Sequence, residues 1–269
     1  MVKKLYKHEF LAWLRVIWIV WSITLVSAGF NRVIQLFEND SVYYSILIGS
    51  STFLYVVGLL CCLAFPLIFG VVRFYRNFFT GEGYLTFTLP ATKAQLLWVK
   101  ISTAVCFSIL SAVVCMASGC IVMAGEVFEE VCKAVAYLSK GFTAEEVAHM
   151  IGWALELLLL LLAAEISNHL FYYACICIGQ LFRKNRVLAA VGVYFGFYVV
   201  AQILSTIGMV VFTMLTAAGV LDGVMDWIVE NPEIFIHSVL GGFAALAALT
   251  DLVYWWICHH IIRKKLNLE

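Results

Sequence analysis

Five polar side chains within otherwise apolar runs are the residues of this chain that could do chemistry. Four follow one another in a leucine-rich stretch and one lies nearer the carboxyl end: Glu156, Glu165, Asn168, His169 and Asp251. An ionised carboxylate at bilayer depth costs at least about 2.5–3.5 kcal/mol, so such a group faces protein or water, is neutral, or has a partner. Glu165 and His169 stand one helical turn apart, and we expect them to pair.

Three interpretations of this polar patch remain open from the sequence. The patch lines a substrate path or an interface between membrane subunits, it forms packing hydrogen bonds between helices, or it relays protons or holds a metal. One Glu and one His are too few for a metal without ligands from other helices. Asp251 can meet the patch only if its own helix packs there. We therefore predict no catalytic residue, no cofactor and no metal site in this chain.

The elements that must position these residues are helices in a membrane. The chain has 269 residues, of which 64% are hydrophobic and 13% charged, and its mean hydropathy is +0.98. Soluble domains are about half apolar and about a quarter charged, so the excess apolar surface must face lipid. The apolar runs are continuous rather than alternating, which favours helices over a β-barrel. A net charge of zero does not indicate a nucleic-acid partner.

The apolar runs predict an all-α integral membrane protein, with residues 1–269 forming a single transmembrane domain. Six spans are expected, at about residues 16–37, 44–72, 95–123, 151–182, 187–217 and 239–262. Capping-box patterns at residues 92–95 and 143–146 mark the starts of the helices that carry the third and fourth spans.

The segments outside the spans have distinct compositions. Residues 1–15 are basic and amphipathic, which predicts a helix lying in the membrane interface. Residues 126–149 and 221–238 are acidic and are expected on the outer side, the second as short helices. Residues 73–94, between the second and third spans, are called the elbow below.

The first span has an alternative interpretation. Residues 26–28, Val-Ser-Ala, resemble a signal-peptide cleavage site after a short apolar core. Trp13, Trp18 and Trp21 are bulky for a signal peptide, and five further spans follow. We therefore interpret this stretch as a span.

Basic residues are distributed unevenly between the two sides of this layout. Of the 17 Lys and Arg residues, all but Arg32, Lys133 and Lys140 lie near the termini, in or just after the elbow, or in the turn at residues 183–186. The positive-inside rule therefore places both termini and the elbow in the cytoplasm.

The elbow begins with an amphipathic helical pattern. Arg73, Arg76 and Asn77 share one face of a helix whose other face is aromatic. We expect this helix to turn along the membrane surface after Val72. On these features alone, an ordinary basic cytoplasmic loop remains an equally good interpretation.

The elbow then breaks its helix twice. Gly81 and Gly83 flank Glu82 and end the first helix, leaving an exposed carboxylate between two glycines. Residues 84–89 are predicted to be short and extended. The capping-box pattern at residues 92–95 restarts a helix, so the elbow is expected to be compact.

The sequence of the elbow resembles a known family. Residues 76–90, RNFFTGEGYLTFTLP, are similar to the inner loop of type-2 ABC exporter permeases of Gram-positive bacteria, which are six-span membrane subunits. In that family a small residue, a Ser or Thr and a basic residue come next, as residues 91–93 do here. Residues 6–10, Tyr-Lys-His-Glu-Phe, and Arg15 resemble its interfacial amino-terminal helix. The resemblance covers the six-span layout, while its specific motif is confined to the elbow.

The resemblance implies an ATP-driven exporter in the bacterial cell membrane. Two permease subunits, either two copies or two relatives, would form the pathway as a dimer in membrane lipid. Separate ABC ATPase subunits, which carry ATP and Mg²⁺, would dock on the elbow. Seven residues of this chain are implied in docking: Arg73, Arg76, Asn77, Gly81, Glu82, Gly83 and Tyr84.

The chain itself is expected to have no enzymatic activity. A phosphate-binding loop ends in Gly-Lys-Ser/Thr, and the sequence contains no Gly-Lys dipeptide. A proton-coupled secondary transporter using Glu165, His169 and Asp251 is the alternative function, although such proteins often show repeats and broken helices that are not evident here. An intramembrane enzyme would need paired glutamates or more histidines on adjacent spans.

Overall fold

The structure is a computed structural model that describes residues 2–37, 39–88, 90–139, 141, 143–182 and 184–264. Within this part of the chain every regular element is an α-helix. Six of these helices are long and apolar enough to cross a membrane. The predicted all-α class with six transmembrane helices is therefore confirmed, and the chain is a multi-span membrane protein. Three basic residues that enter the charge distribution and one residue of the elbow sequence lie outside the described residues: Lys140, Arg183, Lys265 and Leu89.

The helices follow one another with short connections. In chain order they are α1 (Val2–Gln35), α2 (Val42–Phe79), α3 (Glu82–Phe87), α4 (Lys93–Val122), α5 (Glu126–Ser139), α6 (Ala144–Gly179), α7 (Arg186–Ala217), α8 (Asp222–Glu230) and α9 (Pro232–Lys264). The long helices are α1, α2, α4, α6, α7 and α9, and each predicted span lies on a different one of them. The acidic segment at 221–238 contains the short helix α8 and the start of α9.

Both capping boxes predicted from the sequence are present. The backbone N–H of Gln95 donates to the Thr92 hydroxyl at 3.2 Å, and the backbone N–H of Thr92 donates to the Gln95 side chain at 3.1 Å. Thr143 and Glu146 make the same reciprocal pair at 3.3 and 2.7 Å. These bonds satisfy backbone N–H groups that have no partner inside the helix, so they fix where α4 and α6 begin.

Three local features differ from the sequence-based expectations. Helix α1 continues past Arg15 without a break, because residues 2–28 contain no Gly or Pro. Helix α2 likewise continues past Val72 to its end, with Pro66 inside it. The prediction that residues 84–89 are extended was wrong, since α3 is helical over most of them. Glu82 in the first turn of α3 favours this helix, because a carboxylate is stabilised at a helix N-terminus.

The helices fall into two compact units. Unit 1 contains Met1–Arg76 and Leu85–Ile151, and unit 2 contains Asn77–Tyr84 and Gly152–Glu269. The sequence gives no sign of this division, because no Gly- or Pro-rich linker marks it.

The core of unit 1 is a seam between α1 and α4. Trp13 and Ile17 of α1 are buried against Ala104 and Phe107 of α4. The indole of Trp13 stacks on the ring of Phe107 at 5.1 Å and meets Phe69 of α2 edge-on at 4.8 Å. Aromatic pairs of this geometry stabilise a core beyond the area that they bury.

Unit 2 contains a close approach where α6 leads into α7. Gly179 is the last residue of α6, and a Cβ atom placed on it would lie 2.6–2.7 Å from the Cβ, Cα and N atoms of Ala190. The turn between the helices ends at Asn185, which has a left-handed backbone with a φ of 52°. Since two of the three neighbouring atoms at Gly179 belong to the backbone, only glycine fits this position without moving α7.

We expect Gly179→Ala to destabilise the protein by about 1–3 kcal/mol, because overpacking against backbone forces the helices apart. The measurement is the apparent melting temperature of the purified chain in detergent. Gly152→Ala is the matched control on the same helix, since a Cβ there meets nothing within 4 Å. A Gly179→Ala protein as stable as the Gly152→Ala protein would show that this close approach is not constrained.

Candidate functional site

The elbow has an aromatic buried side and an exposed side. Phe78 and Phe79, at the end of α2, are buried, as is Gly83 in the first turn of α3. The backbone N–H of Gly83 donates to the carbonyl of Thr80 at 2.7 Å, and this bond closes the turn between the two helices. The backbone therefore turns between the end of α2 and the start of α3, while the compactness of the elbow as a whole stays a prediction.

The exposed side of the elbow is formed by α3. Glu82 is exposed, and Tyr84 and Leu85 are exposed by 57% and 73%. Gly81 is also exposed and has open space around it, since a Cβ there would meet nothing within 4 Å. Arg76 is exposed in the last turn of α2. A carboxylate, a phenol and an apolar side chain thus stand close together in sequence on one accessible helix.

Arg73, which the resemblance assigns to docking, is engaged inside unit 1. Its Nε donates to Oε1 of Glu9 at 2.5 Å, and its Nη2 donates to Oε2 at 3.2 Å. Lys100 donates from Nζ to Oε2 of the same carboxylate at 2.7 Å. The side chains of Glu9 and Lys100 are only 6% and 8% exposed, and that of Arg73 is 25% exposed. One carboxylate therefore links α1, α2 and α4.

The sequence analysis did not single out Glu9 or Lys100 as a site. Two signals were available. Glu9 is the one acidic residue among the basic residues at 1–15, and Lys100 lies inside an apolar run. Neither signal indicates a partner, because Glu9, Arg73 and Lys100 come together only when α1, α2 and α4 pack.

The predicted intramembrane patch is divided among separate places in unit 2. Oε2 of Glu156 is 2.6 Å from Nδ1 of His237 on α9, and the ring of Trp153 stacks on this histidine at 4.1 Å. Glu156 therefore joins α6 to α9. It does not line the cavity to which Glu165 and Asn168 belong. His237 was not predicted, although a histidine next to an apolar span is a visible signal.

Glu165 and His169 are adjacent but do not form a close hydrogen bond. Oε2 of Glu165 is 3.9 Å from Nε2 of His169, which is longer than hydrogen-bond distance. The His169 side chain is fully buried, whereas that of Glu165 is 42% exposed. The two residues thus point to different surroundings, and the expected pairing is at most a weak electrostatic contact.

A cavity of about 990 Å³ lies within unit 2. Glu165 and Asn168 of α6 line it, together with aromatic and aliphatic side chains of α6, α7 and α9. Ser167 of α6 and Thr250 of α9, which directly precedes Asp251, line the cavity as well. The structure therefore brings Asp251 towards the α6 patch, as the sequence analysis considered, while His169 is not part of the lining.

Metal binding has no visible site in the part of the chain that the structure describes. No group of three or more His, Cys, Asp or Glu residues there is arranged to hold an ion. Of Glu165 and His169, Glu165 belongs to the cavity wall.

Comparisons with known proteins add no relative. No family model, no curated protein and no solved structure matches the chain. The fold and composition define its class, a multi-span membrane protein. The exporter family that the elbow sequence resembles is therefore taken up as a proposal.

We expect Glu9→Gln to destabilise the protein by about 3–5 kcal/mol, because removing one partner leaves buried charge uncompensated. The readout is the melting temperature in detergent. Glu129→Gln is the matched control: Glu129 lies 3.5 Å from Lys133, but both side chains are at least 70% exposed, so the expected loss is about 0–1 kcal/mol.

A double variant separates the loss of the ion pair from other damage. In Glu9→Gln/Lys100→Met the stranded ammonium group is also removed, so part of the lost stability should return. Equal losses in Glu9→Gln and Glu129→Gln would contradict a structural role for the buried carboxylate.

Proposed function

We propose that this chain is the membrane-spanning permease subunit of an ATP-driven exporter. The observation that carries the proposal is the elbow, whose sequence resembles the inner loop of type-2 ABC exporter permeases and whose helix α3 presents Glu82, Tyr84 and Leu85 to solvent. An exposed apolar residue beside a carboxylate on a short helix is suited to a protein partner. In this proposal the partner is an ABC ATPase subunit.

The elbow could pass movement of a docked ATPase into the membrane domain. It connects two candidate spans, α2 and α4, and a hydrogen-bonded turn joins α3 to the end of α2, where Phe78 and Phe79 are buried, so a push on α3 would be passed along the chain to a packed helix end. Because packed interiors have low compressibility, they transmit such a displacement. ATP and Mg²⁺ belong to the partner, and this chain contributes positioning and a pathway.

The remaining parts of the proposal follow from charge and span count. Six spans with basic residues on one side support a cytoplasmic position for both termini and the elbow, and the resemblance of the elbow sequence supports a bacterial cell membrane. A second permease, either a copy or a relative, completes the pathway as a dimer. Helix α7 supports this arrangement, because none of its described residues is buried within the chain. Its surface is available to lipid and to that second subunit.

A proton-coupled secondary transporter is the second candidate function. It is favoured by the placement of Glu165 at a cavity and of Asp251 next to Thr250, which lines the same cavity. The burial of His169 outside that cavity disfavours a relay through all three residues. Transport that continues after ATP depletion but stops when the proton gradient is collapsed would support this candidate against the exporter.

We expect Glu82→Lys to abolish stimulation of the ATPase partner and to reduce export at least about tenfold, because reversing one charge at an interface changes a close ion pair by more than 1.4 kcal/mol. The variant should still insert, and its stability should fall by no more than about 1 kcal/mol, because Glu82 is exposed and an exposed carboxylate at a helix N-terminus contributes only about 0.3–1 kcal/mol. The assay is ATP hydrolysis and export by the complex in proteoliposomes. Glu129→Lys, also an exposed carboxylate, is the control and should behave as wild type. Normal export by Glu82→Lys would contradict docking at the elbow.

A further inference from the structure

The cavity of unit 2 has the size of a site for an organic molecule. Its volume of about 990 Å³ lies at the upper end of the range of roughly 300–1,000 Å³ that is typical of small-molecule sites. The cavity is open, since Asn168 and Tyr198 in its lining are exposed. A molecule of drug size can therefore enter it without local unfolding.

One wall of the cavity is aromatic and is fixed by ring contacts. Phe171 of α6 lies 5.7 Å from Tyr194 and 5.9 Å from Phe197 on α7, and 5.6 Å from Tyr254 on α9, measured between ring centroids. The Phe197 ring meets Phe171 edge-on at 76°. The faces of aromatic rings attract cations, most strongly when the cation is desolvated. Three helices therefore contribute rings to one wall that favours positive charge.

Acidic groups approach the same cavity from two helices. Among the residues that line it, Glu165 is an acid and none is Lys, Arg or His. Asp251 is a second acid close to the cavity, since its neighbour Thr250 lines it, and its Oδ1 has no hydrogen-bond partner in the described part of the chain. The side chains of the wall that can carry a charge at neutral pH are therefore acidic, whereas most of its surface is apolar.

We propose that this cavity binds a lipophilic cation, meaning an apolar organic molecule of drug size that carries one positive charge shielded by carbon groups. An anion would be repelled by Glu165. A small inorganic cation would need several oxygen ligands converging on one point, and no group of three or more His, Cys, Asp or Glu residues in the described part of the chain is arranged to hold one. Molecules of this class would be the substrates of the exporter. Their transport therefore rests on the proposed function, whereas their binding to the cavity does not.

The test measures binding to the chain alone, with no ATPase present. The full chain is reconstituted in nanodiscs of zwitterionic lipid, and saturable binding of radiolabelled tetraphenylphosphonium is measured by equilibrium dialysis, with empty nanodiscs subtracted. Tetraphenylborate, an anion of the same shape, is the ligand control. We expect saturable binding of the cation only.

Three variants locate the site. Glu165→Gln should weaken binding of the cation at least about tenfold, because a carboxylate in a cavity of low polarity loses its attraction for the ligand when it is neutralised. Ala201→Phe, at an exposed position of the lining, should weaken it by filling the cavity without disturbing the core. Glu145→Gln is the matched control on the same helix, because Glu145 is exposed in the first turn of α6 and does not line the cavity. It should bind the cation as wild type does.

The outcomes separate the cation site from the exporter proposal. Equal binding of the cation and the anion, or wild-type affinity in Glu165→Gln, would overturn the site and indicate a gap filled by lipid. Cation binding that is lost in both Glu165→Gln and Ala201→Phe supports the site even if Glu82→Lys exports normally. In that case only the exporter proposal fails.

Discussion

The buried carboxylate of Glu9 is the constraint on which unit 1 depends. An acid held by protein near a membrane must be compensated, and here Arg73 and Lys100 both donate to it. Glu9 stands one helical turn before Trp13, and Lys100 one turn before Ala104, so the ion cluster begins the apolar seam that continues between α1 and α4. Charge thus sets which faces meet, and aromatic packing extends the contact.

This constraint changes how the elbow is understood. The resemblance assigns Arg73 to ATPase docking, yet its guanidinium is directed at Glu9 within the unit. Within the proposed function, Arg73 therefore acts by holding the end of α2 in place, whereas α3 offers the exposed Glu82 and Tyr84. Residues that share a motif need not share a role, because one side of an elbow has to be anchored if the other is to be pushed.

Local features could be predicted from the sequence, and contacts between distant residues could not. The six long helices and the capping box at Thr92 follow from composition and short-range spacing. The partner of Glu156 is 81 residues away, and the partners of Glu9 are 64 and 91 residues away, so only packing reveals them. The error at α3 has the same origin, since its short aromatic stretch fits either a strand or a helix until its surroundings are known.

The two units differ in how much of the most apolar stretch of each long helix is buried. In the most apolar stretches of α1, α2 and α4, 22–28% of the residues are buried, whereas in those of α6, α7 and α9 none is. Lipid tails are as apolar as leucine, so the hydrophobic effect does not drive such helix surfaces together within the membrane. Separating helices that bury little therefore costs little, while separating α1 from α4 exposes the charge of Glu9. A cavity for an organic molecule is therefore easier to form among the helices of unit 2, whose most apolar stretches are not buried, than in unit 1, where Glu9 ties three helices together.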